Sequence, residues 1–298
     1  MYYLFLGATV LSHLLTALLF FFLRIFKAKQ IEREEGPKSH KIKSGTPTMG
    51  GLGFITVFLI LGFIFVDYKY FPAIFLALSF AFIGFLDDLI KILRKNNLGL
   101  TFRQKIIFQT LIAVIFTIYL INAGCLEYTL YYFIFLVFLI VGSSNAANLT
   151  DGLDGLLAGT AIIAFLSFGL ICFKNALIGG AAFSFIFAGA ILGFLFYNFP
   201  KARLFMGDVG SLAIGSALAG LAIIAQKEWM LALIGGVFII ETVSVIIQVI
   251  SFKLLKKRVF KMSPLHHHFE MLGFSEKRIV LCFWLFQLIL GIFGVMIG

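Results

Sequence analysis

Charged side chains are scarce in this sequence. They make up 13% of its 298 residues, against 61% hydrophobic, where a soluble domain carries about 25% charged residues. A soluble globule has no interior large enough to hide so many apolar groups, 38 phenylalanines among them, so the sequence calls for lipid as its solvent. Cysteine is scarcer still. Cys125, Cys172 and Cys282 lie in or beside apolar runs, which excludes a disulfide framework and a thiolate metal cluster. No basic stretch precedes the first apolar run, and that run is too long for a signal-peptide core, so residues 4–26 are expected as a retained first span. The internal repeat that marks many transporters is not visible. A net charge of +10 does not point to nucleic acid, because the Lys and Arg residues are confined to the links between apolar runs.

What is there is a series of apolar runs. A bilayer core takes about 20 apolar residues per helix. On that basis ten spans are expected at 4–26, 50–66, 71–87, 106–122, 126–142, 156–173, 176–196, 211–226, 229–251 and 279–297. The expectation is an all-α integral membrane protein, one polytopic domain over residues 1–298. Ten spans put the links around 27–49, 88–105, 143–155, 197–210 and 252–278 on one side, with every Lys and Arg except Lys69, Lys174 and Lys227. The excess of positive charge makes those five loops cytoplasmic and both termini external. The opposite links are minimal, and Glu241 is the one acid deep in a span. Small residues recur in spans seven to nine, as in Gly189-Ala-Ile-Leu-Gly193 and Gly215-Ser-Ala-Leu-Ala-Gly220, a spacing that lets helix backbones approach closely.

Each of the five loops carries polar chemistry. The first, Gly36 to Gly51, combines lysines and hydroxyls with Gly/Pro turns and suits a phosphate. The second holds Asp87 and Asp88 at the end of an apolar helix, with Lys91 four residues after Asp87. Adjacent carboxylates repel, so a cation or a shared proton is expected beside them. The third, Asn145 to Gly155, lacks Lys and Arg and offers amides, hydroxyls, Asp151 and Asp154 for hydrogen bonds to a base or a sugar. The fourth carries Asn198, Lys201, Arg203, Phe205 and Asp208. Phe205 is placed to stack on a planar base. Asp208 opens the next span, where an acid also serves as a helix cap. The fifth follows a basic amphipathic stretch, 252–260, with Ser263-Pro-Leu-His-His-His-Phe-Glu270. Three consecutive histidines cannot all point one way on a helix, and without a cysteine or a spaced second cluster they do not make a zinc site. Five carboxylates with lysines, arginines and histidines on one face suit Mg²⁺ and a phosphorylated ligand, since Mg²⁺ takes one or two carboxylates and completes its shell with phosphate oxygens and water.

Taken together, Thr46-Pro-Thr-Met-Gly-Gly51, Asp87-Asp88-Leu-Ile-Lys91, Asn148-Leu-Thr-Asp-Gly-Leu-Asp-Gly-Leu156, Phe205-Met-Gly-Asp208 and Pro264-Leu-His-His-His-Phe-Glu270 resemble the phospho-N-acetylmuramoyl-pentapeptide transferases. These belong to the polyprenyl-phosphate N-acetylhexosamine-1-phosphate transferase superfamily, and the resemblance covers essentially the whole length. It implies ten helices in the bacterial cytoplasmic membrane, an active site on the cytoplasmic face, Mg²⁺, and often a homodimer. The implied reaction passes phospho-MurNAc-pentapeptide from its UDP-linked donor to undecaprenyl phosphate, giving lipid I and UMP. By motif, Asp208 would hold Mg²⁺, and Asp87 would deprotonate or orient the lipid phosphate with Asp88 beside it. Asn148, Asp151, Asp154, Asn198 and Phe205 would surround the nucleoside and sugar, with Gln248 a further member. Lys41, Thr46, Lys91 and Lys105 would contact phosphates or close the site, and His266, His267 and His268 would position the diphosphate and sugar.

Two other readings compete. A relative that moves GlcNAc-1-phosphate to the same lipid shares the acidic motifs but not the histidine run. A cation-coupled transporter needs polar groups through the membrane, where Glu241 stands alone. For the transfer itself, direct attack by the lipid phosphate is expected rather than a covalent phospho-sugar enzyme.

Overall fold

The computed structural model describes residues 1–25, 45–96, 98–126 and 129–298. Those residues form helices and turns, with no β-strand among them. In order, the helices are α1 (Tyr2–Ile25), α2 (Gly51–Phe65), α3 (Phe71–Arg94), α4 (Phe102–Asn122), α5 (Leu130–Thr150), α6 (Leu156–Lys174), α7 (Ile178–Asn198), α8 (Gly207–Ile224), α9 (Leu231–Ile234), α10 (Gly236–Leu255), α11 (Leu265–Met271) and α12 (Glu276–Ile297). Nine of these are long and apolar enough to cross a membrane, and α2 is a shorter apolar helix of 15 residues. The ten expected spans therefore have ten apolar helices to match them.

α8 is the axis. It is almost wholly buried, while α1, α4, α5, α10 and α12 turn most of their apolar surface outward. α3 and α5 pack on α8, α6 and α1 pack on α7, and α12 packs on α6. Small residues set the closest approaches, as expected for helices in lipid. A Cβ on Gly84 would overlap the carbonyl of Asp208, one on Gly215 the carbonyl of Ser143, and one on Gly189 the carbonyl of Phe5. Phenylalanine serves two solvents. Phe58, Phe183, Phe187 and Phe165 pack ring against ring in the interior, edge to face around Phe58, with centroids 4.3–6.2 Å apart, whereas Phe21, Phe138 and Phe293 face outward.

Three boundaries differ from expectation: two move polar residues into a helix, and the third breaks an apolar span. α3 runs two turns beyond the acid pair to Arg94 and stops at Lys95, whose φ of 51° is left-handed. No glycine or proline follows Asp88 before Gly99, and the pair Lys91–Asp87, at 2.5 Å one turn apart, supports helix there. Asp87 and Asp88 thus sit within a helix rather than at its end. α5 likewise continues through Thr150, because its first helix-breaking residue after Gly142 is Gly152. The ninth span is split at Gly235 into α9 and α10. Gln287 of α12 closes that break, accepting from Val237 N–H (3.3 Å) and donating to the carbonyl of Ile234 (2.5 Å). An open backbone pair in hydrocarbon would otherwise go unsatisfied.

Candidate active site

The C-terminal ends of α3 and α5 meet the N-terminal ends of α4 and α8 at one end of the bundle. α8 starts at Gly207, whose φ of +77° belongs to a glycine, and a Cβ there would overlap Asp88 Oδ2. Asp88 caps this helix from another one: the Val209 N–H donates to Asp88 Oδ2 at 3.2 Å. Met206, the residue in the capping position, makes no side-chain cap.

Because Asp88 satisfies the helix end, the Asp208 carboxylate is released toward its neighbours. It pairs with Lys105, with Lys91 at 3.3 Å, and with Asn148 Nδ2 at 3.0 Å. Asn148 Nδ2 also donates to Ser211 Oγ at 2.8 Å. Asp87 is fully buried. Its Oδ1 accepts from Leu100 N–H at 2.7 Å, and its Oδ2 meets Lys91 at 2.5 Å and Lys105 at 3.1 Å. Asp87, Asp88 and Asp208 each place an oxygen within 4.8 Å of the others. Three carboxyl groups face two ammoniums here, an excess of acid over base in a largely buried site. Such oxygen-only crowding matches the preference of a hard divalent cation, so the residues fit Mg²⁺.

Around this cluster the loops are sewn together by side chains. Phe205 N–H donates to the carbonyl of Pro47, and Gly50 and Gly51 donate to the carbonyls of Phe205 and Met206, at 2.8–2.9 Å. That ladder places Thr46 and the half-buried Phe205 beside the start of α8. Asn198 accepts from Gly155 N–H (2.9 Å) and donates to the carbonyl of Leu204 (3.1 Å), so both ends of its amide are occupied by the protein's own backbone. Asp154 accepts from Ala202 N–H at 2.8 Å, and its own N–H donates to Glu276 at 2.7 Å. Asp151, just past α5, has no hydrogen-bond partner for its carboxyl among the described residues. Burial, then the charges of Asp208, Asp88 and Asp154, push that carboxyl up to about 8.

The fifth loop builds a separate wall. Gln248 accepts from Val259 and Phe260 N–H (3.1 and 2.9 Å) and donates to the carbonyl of Phe260 (3.0 Å). The three histidines point three ways, as expected for consecutive helical positions. His266 Nδ1 lies 3.1 Å from Glu241, His267 Nδ1 lies 2.7 Å from Glu270, and His268 Nδ1 accepts from Lys261 N–H at 3.1 Å.

The structure therefore brings Asp87, Asp88, Lys91, Lys105, Asn148 and Asp208 into direct contact. It holds Asp151, Asp154, Asn198, Phe205 and Thr46 in the loops beside them, and gives Gln248 and the histidines to the fifth loop. Lys41 lies outside the described residues. Sequence reasoning passed over Ser211, although it stands three residues after Asp208 and shares its helical face. It also passed over the Leu100 N–H, which no side-chain pattern signals, and Glu276, which lies beyond every polar motif.

A bundle of apolar helices with clustered carboxylates, lysines and an amide at one end is that of an integral-membrane enzyme equipped for phosphate chemistry. The sequence model of Glycosyl transferase family 4 matches residues 70–226, the segment from the start of α3 to the end of α8. The phospho-N-acetylmuramoyl-pentapeptide-transferase of Bacillus pumilus (strain SAFR-032) is 48% identical over 97% of this chain and 94% of its own length. The enzyme of the same name from Bacillus subtilis (strain 168) matches at 48% over the same shares. That from Shouchella clausii (strain KSM-K16) matches at 49% over 93% of this chain and 91% of its own length. The chain belongs to the phospho-N-acetylmuramoyl-pentapeptide-transferase family.

Proposed function

We propose that this protein transfers phospho-MurNAc-pentapeptide from its UDP-linked donor to undecaprenyl phosphate, forming lipid I and UMP for peptidoglycan synthesis. The observation that carries the reading is the convergence of Asp87, Asp88 and Asp208 with Lys91 and Lys105, in a chain nearly half identical to relatives of that name. In this reading the site faces the cytoplasm from the bacterial cytoplasmic membrane, and the protein works as a homodimer. Asp208 would hold Mg²⁺, with Asp87 and Asp88 beside it. When bound, the ion supplies neutralisation of the diphosphate charge.

The chain's own groups do the rest. Lys91 and Lys105 each touch both Asp87 and Asp208, so they bring positive charge to the place where two phosphates must approach each other. Asp87, fixed by Leu100 N–H, orients the lipid phosphate and takes its proton if it carries one. An oxygen of that phosphate attacks the donor phosphorus that bears the sugar. A new P–O bond forms, the P–O bond to UMP breaks, and UMP leaves with the electron pair. Asn148 and the loops at 151–154 and 198–205 form the side that receives nucleotide and sugar.

The test is release of UMP from UDP-MurNAc-pentapeptide by the purified protein with undecaprenyl phosphate, with and without Mg²⁺. Dependence on both lipid and metal supports the reading. UMP release or exchange from the donor alone would replace direct attack with a covalent enzyme intermediate. UDP-GlcNAc assayed in parallel separates the GlcNAc-1-phosphate alternative, and substrate uptake into vesicles without UMP release would favour a transporter.

A further inference from the structure

Glu241 is the deep acid of α10, and the chemistry of the site leaves it unused. It is fully buried, as is His266 of α11. Their side chains meet at 3.1 Å between Oε2 and Nδ1, and the His266 backbone N–H lies 3.5 Å from the same oxygen. Among the described residues Glu241 Oε1 and both ring nitrogens of His266 have no hydrogen-bond partner, so the ring contact is a close polar approach and the backbone N–H is the hydrogen bond that ties the two. An acid so placed is strongly disfavoured unless paired, and among the described residues its partner is His266. The far side of the imidazole lies against the backbone of Gly152. A Cβ at that position would overlap His266 Nε2, so only glycine permits the approach. Gly152 is flanked by Asp151 and followed two residues later by Asp154. One imidazole thus links α10, the helix that carries His267 and His268, and the turn that carries both acids.

We propose that Glu241 is a positioning residue of the transfer reaction, acting through His266 to clamp the Asp151–Asp154 turn and the histidine-bearing helix into a single wall. The inference rests on the function proposed above. That wall belongs to the nucleotide-sugar side, whereas Asp87, assigned to the lipid phosphate, stands on α3. Loss of the clamp must therefore weaken the handling of one substrate and spare the other. A group needed for folding alone gives no such asymmetry.

The test uses the full-length protein in detergent. Glu241→Gln keeps the shape and a hydrogen-bond acceptor but removes the charge. A second variant, Glu241→Leu with His266→Leu, replaces the pair by packed apolar groups, an exchange that buried polar pairs often tolerate in stability. Glu241→Gln is expected to raise KM for UDP-MurNAc-pentapeptide by about tenfold, in line with a weakened hydrogen bond to the His266 N–H, with KM for undecaprenyl phosphate unchanged. The apolar pair is expected to fold and not to recover the donor KM. Hydrogen exchange gives a readout independent of turnover. Amides of 152–155 and 265–271 should exchange faster in Glu241→Gln, and those of 87–91 should not. Unchanged exchange in both segments, wild-type kinetics in the apolar pair, or equal shifts in both KM values with a lowered Tm would overturn the proposal. Absence of UMP release by the wild-type protein would remove the functional reading, and the clamp is then decided by exchange alone.

Discussion

Asp208 stands in the first turn of α8, where an acid is ordinarily read as a helix cap. The cap is instead supplied by Asp88 from α3, and Asp208 is left to Lys91, Lys105 and Asn148. This division of labour predicts unequal effects. Asp208→Asn should lower turnover at least about a hundredfold, the scale of removing one preorganised electrostatic group, and abolish the response to Mg²⁺ at nearly unchanged Tm. Near-normal turnover in that variant would remove Asp208 from the metal site. Asp151 gives a pH signature. Burial and the acids around it push its folded carboxyl up to about 8, against about 4 in the unfolded chain. The folded state therefore holds the extra proton between those values, and this group's contribution to stability falls as pH rises from about 4 to about 8. Below that window both states are protonated and the penalty vanishes. In chelator, the Tm of the wild type is expected to fall more steeply between pH 5 and pH 8 than that of Asp151→Asn. Parallel curves for the two proteins would show that Asp151 ionises normally.

Helix contacts decide whether these side chains meet at all. Gly84 lets α3 approach the Asp208 carbonyl, and Asp87 and Asp88 follow it by three and four residues on the same helix. Gly189 permits an equally tight contact of α7 with the Phe5 carbonyl of α1, remote from the acids. An added methyl in such a contact typically destabilises by about 1–3 kcal/mol. Gly84→Ala is expected to cut turnover per folded molecule severely, since it moves two acids away from the third. Gly189→Ala should lower Tm by a similar amount and keep most of the turnover. Equal loss of activity in both would show that the α3–α8 distance does not set the site. These contacts also explain what the sequence could and could not disclose. Span positions follow from hydropathy, and the acids announce themselves because charge is rare in lipid. The continuation of α3 past Asp88 and of α5 past Asn145 was hidden, because polar residues at a membrane surface look like loops until ion pairs such as Lys91–Asp87 are known to hold them helical. The capping of α8 by Asp88 is a contact across 121 residues, and no local pattern contains it. The occupation of Asn198 and Gln248 by backbone partners is equally invisible, since an amide suited to a ligand is also suited to a loop.

Ten apolar helices of alternating direction put α1, α3, α5, α7 and α10 in one sense and α2, α4, α6, α8 and α12 in the other. The ends of α3, α5 and α7 and the starts of α4, α6 and α8 then share a face, and the acid cluster lies on it. Among the described residues the same face receives most of the basic side chains, Lys201, Lys256, Lys257 and Arg258 among them, while Lys69 and Lys227 fall on the other. Charge in short links orients a membrane protein independently of what its site does, so orientation can be tested without substrate. In a background with Cys125, Cys172 and Cys282 replaced by alanine, Lys69→Cys and Lys201→Cys place single thiols at exposed positions on opposite faces. A membrane-impermeant maleimide applied to intact spheroplasts is expected to label Lys69→Cys at once and Lys201→Cys only after permeabilisation. The opposite order would put the acid cluster outside. A nucleotide-linked donor made in the cytoplasm would then be out of its reach, and the charge asymmetry and the proposed reaction would fall together.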